Sequence, residues 1–262
     1  MTNGADCARC AIRHSGFCGL LDDQTQSTVS GFKRMLTLPA NTLLWDDEQS
    51  LGFIGVLQSG YLRFQRYGMD GRRQILYVLQ PGDIIGDPQD QARGYSVETA
   101  TSVRICKFSE RRFDRLLQQF PEVARAVYRM RSARLDELRW LTWSLGMLSA
   151  EERFCAFLAT ATTHMPFEPD GQQGGTLTIE LPRRDIADLL AISVETISRN
   201  CQKLALEGVI NIIGPRLFRI PDLQRLAERG CLKDLSGRDR VVRNSGPRSR
   251  RTGMQDRTLQ LG

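Results

Sequence analysis

Cys7, Cys10 and Cys18 carry the densest chemical potential in this chain of 262 residues: three of its seven cysteines fall within twelve positions, spaced C-x2-C-x7-C. The short first gap lets one tight turn aim two thiolates at a single centre. The longer second gap returns a third thiolate from a small loop. Thiolates are soft ligands, and cysteine-only sites select zinc or iron–sulfur clusters. Three ligands leave a tetrahedral centre or a cubane cluster one short. The candidates for the fourth are Cys106, Cys155, Cys201, Cys231 and His14.

Composition bounds the rest. Hydrophobic residues make up 41% and charged residues 25%, ordinary values for a globular chain long enough for one large or two modest domains. No run of eighteen apolar residues and no basic-then-apolar leader is present, so no membrane span is expected. A reducing cytoplasm follows as the expected compartment, where clustered cysteines act as ligands rather than disulfides. The net charge is +6, but residues 232–262 hold eight Lys/Arg against three Asp, a net of +5. Bulk charge therefore describes a basic tail (231–262), expected to be disordered, and does not by itself indicate nucleic acid. With two histidines, His14 and His164, no defensible nucleophile–base spacing and no phosphate-cradling glycine loop, an enzyme is not expected.

The elements that must position these residues follow in order. A cysteine-rich loop spans residues 1–29. Over 30–119, short apolar runs such as Phe53-Ile-Gly-Val-Leu57 and Gln74-Ile-Leu-Tyr-Val-Leu79 alternate with turns such as Gln80-Pro-Gly-Asp83, which predicts a sandwich or rolled barrel of short strands. Pro121 suits the first turn of a long helix (120–148). Leu135, Leu138, Leu141 and Leu145 form a stripe on it at helical spacing, extended upstream by Val123, Val127 and Met130, and predict a parallel homodimer seam. Asp136 and Glu137 lie beside that seam and read as solvated charges, with repulsion between copies as the alternative. Ser149-Ala-Glu-Glu152 is a capping box that opens the last domain, 149–230. Within it, residues 165–176 look like a loop and Thr176–Leu181 a strand. Two helices (Arg183–Leu190 and one capped by Ser193), a three-residue turn and a hairpin over 209–220 then describe a winged helix-turn-helix.

On the second of those helices, Val194, Glu195, Ser198 and Arg199 share a face suited to major-groove readout. Arg donates two bonds to guanine, Glu accepts from cytosine, and Ser and Val meet thymine edges. Ile197, Leu204 and Leu206 are expected to face the domain core; Arg183, Arg184 and Lys203 read as surface charge, with phosphate contact as the alternative.

Cysteine loop, β-roll, long helix and winged helix, in that order, resemble the CRP/FNR family of transcription regulators over about residues 5–230. The motifs are Gly82-Asp-Ile-Ile-Gly86, Ala150-Glu-Glu-Arg153 and Val194-Glu-Thr-Ile-Ser-Arg199. The resemblance implies an α+β fold with an N-terminal cyclic-nucleotide-binding-like β-roll, a dimerisation helix and a C-terminal winged helix-turn-helix. The spacing of the N-terminal cysteines is similar to that of the oxygen-responsive FnrN/FnrL-like branch. That branch implies a [4Fe-4S] cluster on Cys7, Cys10, Cys18 and Cys106, a TTGAT-type half-site read by Glu195, Ser198 and Arg199, and double-stranded DNA, RNA polymerase and a second copy of the chain as partners. In the alternative readings the cysteines hold a structural zinc, or the roll takes a cyclic nucleotide. The stretch 86–96 has Arg93 and Ser96 separated by two residues rather than adjacent, a departure from the phosphate-binding pair of the cyclic-nucleotide members.

Overall fold

The structure, a computed structural model, describes residues 7, 9–46, 51–86 and 94–232. The expected basic tail from residue 233 on, and Arg93, lie outside the described residues. Short strands bounded by turn residues build the roll: β1 (Arg34–Leu38), β2 (Leu43–Trp45), β3 (Ile54–Ser59), β4 (Leu62–Tyr67), β5 (Arg73–Leu79), β6 (Ile84–Ile85), β7 (Ser96–Thr99) and β8 (Val103–Phe108). They form two antiparallel sheets, ordered β1-β8-β3-β6 and β2-β7-β4-β5. Leu57, Leu62, Ile85 and Ile105 are buried between them. β3 turns into β4 at Gly60, whose φ of +80° and position 2.2 Å (as a built Cβ) from the Ser102 carbonyl oxygen leave no room for a side chain.

The N-terminal segment is more ordered than a loop. After a short helix α1 (Gly16–Gly19), Asp22 caps α2 (Asp23–Phe32) by accepting from the Thr25 amide at 2.7 Å. With few apolar residues in that helix, its period is weak in the sequence, and the short-range cap was the available signal.

Past the roll, α3 (Glu110–Gln119) leads into α4 (Pro121–Met147), which starts on Pro121 as expected. The Ser149/Glu152 capping box is made in both directions at the start of α5 (Ala150–Ala161). The winged domain follows with β9 (Phe167–Pro169), β10 (Gly175–Thr178), α6 (Arg183–Leu190), α7 (Val194–Leu206), β11 (Asn211–Ile212), β12 (Leu217–Ile220) and α8 (Leu223–Arg229). The sequence reading of 165–176 as loop misses β9, which pairs with β10 through Phe167 and Leu177. Ala191 takes the left-handed conformation (φ +51°) that turns α6 into α7.

A buried charge network joins the roll to α6. Arg63 of β4 holds Asp185 and Glu98, and Arg73 of β5 holds Asp185 and Asp188. Gln74 adds a bond to the Asp188 carbonyl at 2.7 Å.

Candidate metal centre and nucleic-acid interface

Cys106 lies on β8, opposite Met35 of β1 and Val56 of β3, with its sulfur 3.8 Å from the Met35 sulfur. The N-terminal segment covers this sheet face, and a cavity of about 40 Å³ between them is bordered by Cys7, Cys10, Cys18 and Cys106. Its other walls are mainly apolar, including Phe17, Val29, Val56 and Phe108. Two donors point at the sulfurs: Lys33 Nζ at 2.8 Å from Cys7, and Gln58 Nε2 at 3.3 Å from Cys10.

Gln26 of α2 shapes the loop by donating to the carbonyls of Arg13, Cys18 and Leu21 at 3.1, 2.6 and 3.3 Å. The loop meets the roll backbone to backbone. Phe17 N–H donates to the Gly82 carbonyl at 2.9 Å, and a Cβ on Gly16 (φ +54°) would fall 2.4 Å from Gly82. No residue but glycine fits at Gly16 without moving one of the two segments. Phe17, fully buried, packs at 6.3 Å against Phe113 of α3.

The four sulfurs share one electrostatic neighbourhood. Burial pushes the Cys18 thiol up to about 12, and the fields of Cys106, Cys10 and Cys7 add to it while Lys33 opposes. Burial likewise raises Cys106 to about 11, with Lys33 opposing and Cys10 and Cys7 adding. Four sulfur donors around one mostly apolar space, with a lysine to balance charge, suit a soft metal or an iron–sulfur cluster. Among the described residues, no three His, Cys, Asp or Glu side chains converge tightly enough to hold a single metal ion.

The remaining candidates for a fourth ligand are elsewhere. Cys155 and Cys201 are buried in the winged-domain core, Cys231 is exposed beside Glu152, and His14 is exposed and does not border the cavity.

On α7, Ser193 caps the helix by accepting from the Thr196 amide at 3.1 Å. Glu195 and Arg199 are exposed, while Val194 and Ser198 are half-buried. Ser198 accepts from Arg183 at 3.2 Å, and Arg183 also reaches the Pro215 carbonyl in the hairpin at 3.3 Å. Arg183 is thus a brace, and Lys203 is paired with Glu151 at 2.6 Å; Arg184 remains exposed. Leu206 corrects one expectation. It is 89% exposed because it sits about 200° round the helix from Leu204, and Cys201 fills the core position with Ile197 and Leu204.

The leucine stripe of α4 is divided. Leu135 is exposed, with Tyr128, Trp143 and Met147 on the same outward side. Leu138 and Leu141 border a cleft between roll, helix and winged domain, and Leu145 is half-buried. Asp136 pairs with Arg139 at 2.9 Å and Glu137 with Arg134, so these charges are neutralised on their own helix.

A roll-type sensor joined by a long helix to a winged helix-turn-helix defines a DNA-binding transcription regulator. Residues 35–120 match the cyclic nucleotide-binding domain family and residues 152–229 the Crp-like helix-turn-helix domain family. The FixK nitrogen fixation regulation protein of Bradyrhizobium diazoefficiens is 31% identical over 214 residues, covering 80% of this chain and 88% of that one. The transcriptional activator protein FnrL of Cereibacter sphaeroides is 29% identical over 225 residues, covering 85% and 90%. The solved structure of FixK2 from Bradyrhizobium japonicum superposes with a TM-score of 0.67 at 22% identity, over 75% of this chain and 96% of that one. The chain belongs to the CRP/FNR family of transcription regulators. Among the described residues no helix is long and apolar enough to cross a membrane.

Proposed function

We propose that the protein is an oxygen-responsive activator whose cysteine site carries a [4Fe-4S] cluster in the absence of oxygen. The observation that carries this reading is the shared cavity of Cys7, Cys10, Cys18 and Cys106, three from one short loop and one from the sheet it covers. Those four residues would hold the group, which supplies chemistry that oxygen destroys. The cavity has room for only a few waters, so loading requires the loop to yield. Lys33 and Gln58 would donate to the ligating sulfurs of Cys7 and Cys10.

The loop also packs on the helix it would control. Phe17, Leu21, Cys106, Val123 and Ala126 belong to one apolar cluster, with Val127 and Met130 against it. Thr25 donates to Glu122 at 2.6 Å at the start of α4. A loop fixed by ligation favours one packing of α4, and thereby the second copy's approach along its outward face; the ligated state must prefer that packing by several kcal/mol to act as a switch. Two α7 helices then address a palindromic site, with Glu195 and Arg199 at a G·C pair and Ser198 and Val194 at neighbouring thymines. Activation implies contact with RNA polymerase, as the description of FnrL as an activator suggests.

The test is protein purified without oxygen, assayed for iron and sulfide and by absorption, then exposed to air. About four irons per chain and a broad band near 400 nm that bleaches in air support the cluster. Colourless protein with zinc or no metal leaves the DNA-binding function and removes the oxygen switch. A second reading has one observation in its favour, a cavity of about 310 Å³ between roll and α4 lined by Trp45, Phe64, Tyr77, Arg131 and Arg134. Titration with cyclic nucleotide, read by DNA affinity, decides it.

A further inference from the structure

Gly82 and Asp83 face opposite partners. On one side the Gly82 carbonyl accepts the Phe17 amide at 2.9 Å, where Gly16 and Gly82 touch without side chains between them. On the other, the next residue's carboxylate, Asp83, receives Arg134 of α4 in an ion pair. Three hydrogen bonds tie the Gly82–Asp83 turn to its neighbours. The Gly82 amide donates to the Leu57 carbonyl at 2.7 Å, the Leu57 amide to the Asp83 carbonyl at 2.9 Å, and the Gln80 amide to the Asp83 carboxylate at 2.9 Å. Arg134 is held in turn over the Tyr77 ring at 4.7 Å and by Glu137. It is adjacent in sequence to Leu135, which is exposed on the outward side of α4.

We infer that Arg134 is the positioning residue through which docking of the cysteine loop sets the outward face of α4, with Gly82–Asp83 as the shared hinge point. A loop that leaves the Gly82 carbonyl removes one restraint and the Gly16 contact from the turn while its bonds to Leu57 and Gln80 stay, and any small shift of Asp83 that follows is a shift of the anchor of Arg134. The apolar contacts of the loop act on the first two turns of α4, around Val123 and Ala126. Arg134 acts two to three turns further on, beside the face a second copy would meet. This inference rests on the cysteine-loop reading for its trigger but not for its wiring.

The experiment compares full-length wild type with Arg134→Met, Arg134→Lys, Gly16→Ala and the Gly16→Ala/Arg134→Met double variant, purified without oxygen. Self-association and affinity for a palindromic TTGAT-type duplex are measured before and after air, with metal content and thermal midpoint alongside. Arg134→Met is expected to keep the wild-type metal content while losing most of the air-dependent ratio, on the order of 5- to 150-fold in a coupled system. Arg134→Lys retains part of the ratio. Gly16→Ala weakens DNA binding in the wild-type background and adds nothing to Arg134→Met, because both cut one path. A wild-type ratio in Arg134→Met, or independent multiplying losses in the double variant, overturns the inference. If Arg134→Met lowers the midpoint, Asp83→Asn, which keeps an oxygen for the Gln80 amide, replaces it in the same comparisons. If wild type holds no iron, the cluster reading fails. The Gly16/Arg134 cycle on DNA affinity alone then judges the relay, independent losses again overturning it.

Discussion

Arg63 and Asp185 meet across the boundary between sensor and DNA-binding domain, Nη1 to Oδ2 at 2.8 Å, with side chains only 7% and 2% exposed. Each is shared. Arg63 also holds Glu98, and Asp185 also holds Arg73, so removal of any one member leaves a charge in a dry interface without its partner.

Asp185→Ala is therefore expected to cost about 3–5 kcal/mol, the usual penalty for breaking a buried pair from one side. Differential scanning calorimetry checks it, with the transition of the full chain broadening or splitting as the two domains uncouple. Unchanged melting would mean the network is solvated in solution.

Acid should loosen the same joint. Burial alone would raise the Glu98 carboxyl, but its bonds from Arg63 and Gln65 outweigh that and hold it below the ordinary value of 4.5. A depressed carboxylate contributes stability that is present above its unfolded pKa and lost as pH falls through its folded one. Stability should thus be flat above about pH 5 and decline below it, and Glu98→Gln should flatten the decline. Urea midpoints from pH 7 to pH 3 measure this.

The cysteines make the opposite prediction at high pH. With Cys18 pushed up to about 12 and Cys106 to about 11, mainly by burial, both stay protonated in metal-free folded protein at pH 8. Raised thiols contribute stability that is intact below the ordinary value of 9.0 and is lost as pH climbs through the folded values. Iodoacetamide labelling followed by mass spectrometry should find these two far slower than the exposed Cys231, and equal to it in denaturant. Equal rates in the folded state would contradict the packed loop.

Leu135→Asp and Leu141→Asp should separate two roles on one helix. Leu135, at 48% exposure, faces outward, so its change should abolish self-association with little effect on the thermal midpoint. Leu141 borders the internal cleft, and a charge there should cost about 1–3 kcal/mol of folding stability. Sedimentation and thermal melts read the two outcomes.

Arg199→Ala should cost about 1–3 kcal/mol against the preferred site and relax the preference at one base pair, while leaving the fold alone because its side chain is exposed. Binding to duplexes substituted at each position is the measurement.

The roll, the long helix and the winged helix were readable because turn residues, Pro121, the Ser149 box and Ser193 are local signals with local causes. The order of the sheets and the pairing of Cys106 with Met35 and Val56 were not, since register depends on partners seventy or fifty residues away. Leu206 went wrong because alternate leucines near a helix end point to opposite sides, and only the packing of Cys201 decides which one is inside. The leucine stripe was real as a pattern, but sequence spacing could not say that Leu138 and Leu141 would turn toward the chain's own cleft. Nothing in the sequence links Arg63, Arg73, Asp185 and Asp188, and only the docking of α6 on β4 and β5 gathers them.

The double grip of Arg183 on Ser198 and on the Pro215 carbonyl has a consequence for how binding preference can diversify. It ties α7 and the hairpin into one solid head, while Glu195 and Arg199 are exposed and bond only within the first turns of α7, to Ser193 and Thr196. With Glu195 and Arg199 reading bases as proposed, such an arrangement is a cassette: its lettering can be rewritten at two positions without disturbing the mount, and new promoters become reachable while the rest of the chain stays as it is.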